Sequence, residues 1–108
     1  METRLREYIA KHPGVRRVGG SVSEPKEVSR VKPEYPVELL AHRKSMTLAI
    51  VEAVVTGEGT VKDPIILRTT DPLLSPYFLK ALRLWRYEPA RENGQSVPAF
   101  ITVTFTIH

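Results

Sequence analysis

The stretch Met46–Val55, MTLAIVEAVV, is followed at once by Thr56-Gly57-Glu58-Gly59 and then by Thr60–Thr70, TVKDPIILRTT. The first run is rich in β-branched residues and apolar at both odd and even positions, the pattern of a strand covered on both faces. Two glycines in the next four residues supply the positive φ that a hairpin connection demands. The return run is a second strand, and Pro64 within it cannot donate to a ladder, which predicts that this strand lies at a sheet edge.

Downstream, Asp71-Pro72 turns the chain, and Ser75-Pro76 reads as an N-cap followed by proline at the first helical position. The helix is expected to run to about Arg86, with Phe78, Ala81, Leu82 and Trp85 on one face. Lys80, Arg83 and Arg86 fall in its later turns, where positive charge suits the macrodipole. Glu88-Pro89 ends it and Asn93-Gly94 marks a further turn. Val97–Ile107 then alternates: Val97, Ala99, Ile101, Val103, Phe105 and Ile107 on one side, Pro98, Phe100, Thr102, Thr104 and Thr106 on the other.

Upstream, Tyr35-Pro36 leads into a short helix over about 37–43, with Leu39, Leu40 and Ala41 turned inward. Residues 15–36 read as an extended arm, punctuated by Gly19-Gly20, Pro25, Pro33 and Pro36. Residues 2–11 place Leu5, Tyr8 and Ile9 on one helical stripe, and His12-Pro13-Gly14 stops it. A helix so short forms only if something covers that stripe. The boundaries expected are therefore 1–14 for an N-terminal helix or linker and 15–108 for the domain proper.

Hairpin, crossover helix and final strand imply an α+β, two-layer fold. Its three-stranded antiparallel sheet has the order 2-1-3, with helices packed on one face and strands 2 and 3 at the edges. The chain of 108 residues fits a single core, and its 42% apolar and 26% charged content is that of a soluble globular domain. No window reaches the roughly 20 apolar residues that span a bilayer, and no secretory leader is visible. Residues 1–44 carry ten Lys/Arg against six Asp/Glu, whereas residues 45–108 carry six of each, so the net charge of +4 belongs to the N-terminal part.

Chemistry is hard to place on this chain. With no cysteine, disulfides and thiolate metal sites are excluded. His12, His42 and His108 lack partners at metal-ligand spacing and read as surface histidines. Glu52, Glu58, Asp63 and Asp71 gather near the hairpin, where capping, turning and solvation are the expected roles. No phosphate loop or nucleophile elbow occurs, so the chain is read as no enzyme and as having no cofactor. RNA-reading sheets display two or three aromatics on an open face. Here only Phe100 is offered, and Trp85 falls on the core-facing stripe between Arg83 and Arg86, so no nucleic-acid partner is expected.

Four stretches together resemble the C-terminal domain of the TonB energy-transducer family. They are Val18-Gly19-Gly20 leading to Pro25; Val31-Lys32-Pro33-Glu34-Tyr35-Pro36; Val51–Gly59 followed by Val61; and Leu82–Ala90, LRLWRYEPA, with Glu92-Asn93-Gly94 and Val97-Pro98 beyond it. The resemblance runs from about Val15 to the end. Thr47 and Ala49 depart from the Gly and Val that usually enter the first strand.

The resemblance implies a periplasmic domain tethered by an upstream segment to an inner-membrane helix and energised there by a proton-channel complex. Its expected task is to grip the N-terminal peptide of outer-membrane transporters by β-augmentation, passing on proton-motive force for active uptake. The implied peptide platform is Phe100, Ile101, Thr102, Val103, Thr104, Phe105 and Thr106, with Arg30, Val31 and Lys32 beside it. The alternative is a TonB-like structural or sensory tail of a larger envelope protein, serving self-association or cell-wall contact. Family spacing also puts Ala49, Val51, Ala53, Val55 and Ile66 on the helix side, leaving Leu48, Ile50, Val54, Ile65, Leu67 and Phe100 on the other face. That apolar face needs a cover, either the N-terminal helix through Leu5, Tyr8 and Ile9 or a second copy of the domain in a homodimer.

Overall fold

The computed structural model describes residues 2–43 and 46–108. Its main sheet is built on three long strands, β2 (Thr47–Val55), β3 (Val61–Thr69) and β7 (Ala99–Ile107). All are antiparallel and ordered β3-β2-β7. Helix α3 (Ser75–Arg83) crosses over one face between β3 and β7, and the short helix α2 (Val37–Ala41) adds Leu39 to the same side. The fold is mixed α+β.

The helix-facing side of β2 carries Ala49, Val51 and Ala53, all fully buried. Small residues there leave room for large ones on the partners. Phe78 from α3 stacks on Phe105 from β7 at 5.1 Å between centroids, and Trp85 meets the same Phe105 edge-on at 5.5 Å. Tyr35, from the Tyr-Pro pair, reaches Phe78 at 5.6 Å and ties the arm to this core. Offset and edge-to-face contacts of this kind add to the burial of the rings.

Several elements depart from the sequence reading. A 3-10 turn, Pro72–Leu74, runs directly into α3, so Leu74 stands at the N-cap and Ser75 is already helical at φ −52°, ψ −46°. A capping side chain needs extended backbone, and Ser75 therefore makes no cap bond. The helix stops at Arg83 rather than Arg86, because Arg86–Glu88 is extended as β4 and pairs with β1 (Lys26–Ser29). Trp85 is thus buried from beyond the helix end, at 2% exposure. Ala41 is exposed.

The final strand is also broken. Val97 belongs to β6 (Gln95–Val97), which forms a hairpin with β5 (Ala90–Glu92). Its two-residue loop has positive φ at both Asn93 (51°) and Gly94 (80°), the conformation that matches strand twist. Gly59 has a steric reason as well: at φ +85° a Cβ would lie 2.0 Å from the Tyr87 carbonyl oxygen. That close approach lets the Tyr87 N–H donate to Gly59 O at 2.9 Å and join β4 to the main hairpin.

Helix α1 (Thr3–Ala10) takes the opposite face of the sheet, away from α2 and α3. Its anchor is a bulge in β3. Lys62 pairs with Val54 and Ile65 with Glu52, so Asp63 and Pro64 together oppose Ala53, with Asp63 at φ +51°. A bulge re-aims the residues it contains. The carbonyl of Asp63 accepts from the Tyr8 hydroxyl at 2.6 Å, and its carboxylate lies 3.0 Å from His12 Nε2. His12 is therefore not a bare surface histidine: its Nδ1 also lies 2.7 Å from Tyr8 O, and its ring packs on Tyr8 and Phe100. Tyr8 lies 5.8 Å from Phe100, and burial with nearby Asp63 and Glu52 raises its phenol above its ordinary 10.0. On this face Val54 is fully covered, while Leu48, Ile50 and Leu67 stay half-buried.

The same face holds Glu52, at 4% exposure, a position contrary to a solvating role. Its two oxygens accept from the Thr102 hydroxyl at 3.0 and 3.2 Å. Burial raises its carboxyl above the ordinary 4.5, with the Thr102 hydrogen bond and Arg17 pulling the other way.

Two stability predictions follow from this packing. Trp85→Ala should lose about 3–5 kcal/mol in urea unfolding, as for a large buried aromatic. For Glu52, a carboxyl raised in the folded state favours the protonated fold, so stability falls as pH rises from the ordinary 4.5 through the raised value. Glu52→Gln should remove that slope. The melting temperature of the variant relative to the parent should therefore climb as pH rises above the ordinary carboxyl value of 4.5.

Candidate functional site

Strand β7 is an edge strand of the sheet, with β2 as its one neighbouring strand among the described residues. The direction of its main-chain groups can be read from one contact. Arg16 N–H donates to Pro98 O at 2.9 Å, and Phe100 N–H donates to Arg16 O at 3.0 Å. Phe100 therefore turns its main chain away from β2, and with the alternation of an antiparallel ladder Thr102, Thr104 and Thr106 do the same. No other strand among the described residues meets these three.

Beside that edge runs a groove of about 530 Å³, walled by Phe100–Thr104 on one side and by Glu24, Pro25, Glu27 and Arg30 of the arm on the other. Trp85 and Tyr87 form its floor. The arm is held there by Trp85, whose indole N–H donates to Val31 O at 2.9 Å. It is also held by the pairing of Lys26, Glu27 and Ser29 with β4.

Arg30 spans floor and wall. Its guanidinium lies 4.4 Å over the Trp85 ring, a cation–π placement, and donates to both oxygens of Glu27 at 2.5 and 2.9 Å. That hydrogen bonding draws the Glu27 carboxyl below its ordinary 4.5. Burial, reinforced by Glu27, pushes the Tyr87 phenol up to about 12, so Tyr87 faces the groove as a neutral donor. The charges of Arg30 and Glu27 are spent on each other. What the groove offers an incoming chain is main-chain hydrogen bonding and the apolar edges of Val18 and Val103.

The residues expected at the platform are distributed unevenly. Arg30 and Phe100, Ile101, Thr102, Val103 and Thr104 line one groove. Val31 borders it through the carbonyl that Trp85 holds. Lys32 lies elsewhere, in a smaller depression with Glu34, Tyr77 and Lys80. Phe105 is buried in the core, and its side chain faces Trp85 and Phe78 rather than a ligand. The ring of Phe100 sits beneath α1, and its main chain is already paired with Arg16, so this end of the strand is not an unclaimed edge. Glu24, Glu27 and Tyr87 line the groove as well, outside the platform the sequence suggests. Only the return of the arm against β4 brings them to β7, and no local pattern signals that pairing. Among the described residues no group of three or more His, Asp or Glu side chains could hold a metal ion.

Comparison with known proteins agrees with this architecture. The solution NMR structure of the Pseudomonas aeruginosa TonB CTD superposes with a TM-score of 0.58. The match covers 86% of this chain and 94% of that one at 22% identity, a likeness of fold. No curated protein matches the sequence. The family model for the Gram-negative bacterial TonB protein C-terminal matches residues 31–107, a span that holds the Tyr-Pro entry, the hairpin, α3 and the whole of β7. The chain belongs to the TonB C-terminal domain family.

Proposed function

We propose that this domain grips an extended peptide, the N-terminal segment of a TonB-dependent outer-membrane transporter, by β-augmentation on β7. The observation that carries the reading is the row of outward main-chain groups at Thr102, Thr104 and Thr106, the first two of them beside a groove whose far wall is the arm. Such an edge supplies affinity through main-chain hydrogen bonds and selectivity through alternate side-chain pockets. Chemistry on the peptide is no part of the role. The domain is a handle, and force enters through an upstream segment that tethers it in the periplasm to an inner-membrane helix and a proton-channel complex. A handle that must let go suits a modest affinity, on the order of micromolar.

Thr104 separates main-chain from side-chain contributions. Thr104→Pro removes the outward N–H and adds a ring at the pairing edge, whereas Thr104→Ala keeps the backbone. With both variants folded by circular dichroism, calorimetric titration with a transporter N-terminal peptide should show the proline variant about tenfold weaker, the loss of one or two net hydrogen bonds. The alanine variant should stay close to the parent. Equal affinities would remove the edge from the binding site.

A further inference from the structure

One segment of the chain already does to β7 what the ligand is expected to do. Arg16 forms a parallel bridge with Ala99, exchanging main-chain hydrogen bonds with Pro98 and Phe100 on the outward edge. The segment is pinned from both sides. In front of it, α1 is locked to the β3 bulge by Tyr8 and His12 on Asp63. Behind it, Val22 is buried with Ala90, Val97 and Ala99 in a small second core, and it bridges to Glu92. The Arg16 side chain adds Nε–H to Glu92 Oε1 at 3.1 Å. Past Val18 the arm leaves the edge at Gly19, whose φ of +132° is open to glycine but rarely to other residues. Val18 lines the groove together with Phe100–Thr104, two residues beyond the Arg16 bridge and just before that departure.

We propose that Val15–Val18 is a built-in first rung of the peptide platform: it fills the Pro98–Phe100 end of the edge, so that a bound peptide pairs only with Thr102–Thr106 and abuts Val18. The inference rests on the edge reading above and adds to it a fixed register and a limited footprint. A strand advances about 3.3 Å per residue. The open stretch therefore accepts about five peptide residues, and covering the strand back to Pro98 would take about nine. Without a stop, an extended peptide could slide along a uniform row of threonines. With one, its end is set against a fixed side chain.

The test uses the intact chain and synthetic peptides from the N-terminal segment of an outer-membrane transporter. They are made at about five residues and lengthened to about nine at either end. Affinity is read by calorimetry, and amide hydrogen exchange is followed at Phe100, Thr102, Thr104 and Thr106. In the parent chain, Phe100 should exchange slowly before any peptide is added, and peptide should slow the three threonines. Lengthening at one of the two ends should leave affinity unchanged. Arg16→Pro, which removes the N–H donated to Pro98, should speed Phe100 exchange and make that same lengthening tighten binding about fivefold or more. If that variant fails to fold, His12→Ala loosens the lock on Asp63 with the arm backbone intact and should move both readouts in the same direction. If lengthening at either end tightens binding equally in parent and variant, or if Phe100 in the free parent exchanges as fast as Thr104, the stop is refuted while the edge reading stands. If no peptide slows Thr102, Thr104 and Thr106, the edge reading fails and the stop fails with it.

Discussion

The Trp85 indole is the point on which the arrangement turns. Its ring closes the core against Phe105, its N–H holds the Val31 carbonyl, and its outer surface carries the Arg30 guanidinium. A buried indole N–H without a partner would cost more than the bond contributes when made. The arm is thereby obliged to lie where it does. Once Val31 is fixed, Lys26–Ser29 falls into register with β4, and Glu24–Arg30 becomes the wall facing β7. The groove exists because the core needed its tryptophan satisfied.

The sheet divides its duties by strand. β2 is paired on both sides, buried along its helix-facing side and, from Glu52 on, on the other face as well, so it is all structure. β3 spends its outer edge on a proline and a bulge, and the bulge turns Asp63 out to catch α1. Of these three strands, β7 is the one that keeps an edge with regular outward main-chain groups, and even there the first rung is taken. Such edges invite unwanted pairing unless they are shortened or covered. The arm segment at Arg16 and the wall at Glu24–Arg30 leave a short opening rather than a long one.

Glu52 links the α1 face to the open edge. It sits under α1, and it is held by the hydroxyl of Thr102, whose main chain belongs to the open edge. Burying a carboxylate is unfavourable unless it is hydrogen-bonded. The Thr102 hydroxyl is therefore oriented inward, toward Glu52, and leaves the main chain as what that residue offers outward.

By itself the chain determined its elements wherever a local rule was strong enough. The double-faced apolar run of Met46–Val55, the glycines after it, Pro64 at an edge and the alternation of Ala99–Ile107 each follow from backbone sterics and side-chain period. The Tyr-Pro and Trp-Arg-Tyr-Glu-Pro pattern is legible in a different way, as the residues that carry the family likeness. The local signals failed where two of them competed. Ser75 looked like a cap until a preceding turn made it helical, and the apolar stripe ran on through Trp85 although the helix ends at Arg83 to free Arg86–Glu88 for pairing. Only the tertiary structure decided the site itself. His12 on Asp63, Arg30 on Trp85, Glu24 and Tyr87 in one groove with Thr102, and Arg16 on Phe100 bring together residues far apart in the chain. Which of these pairings form depends on how the arm closes over the sheet, and closure is set by summed packing and hydrogen-bond satisfaction across the whole core. No window of neighbouring residues contains that sum.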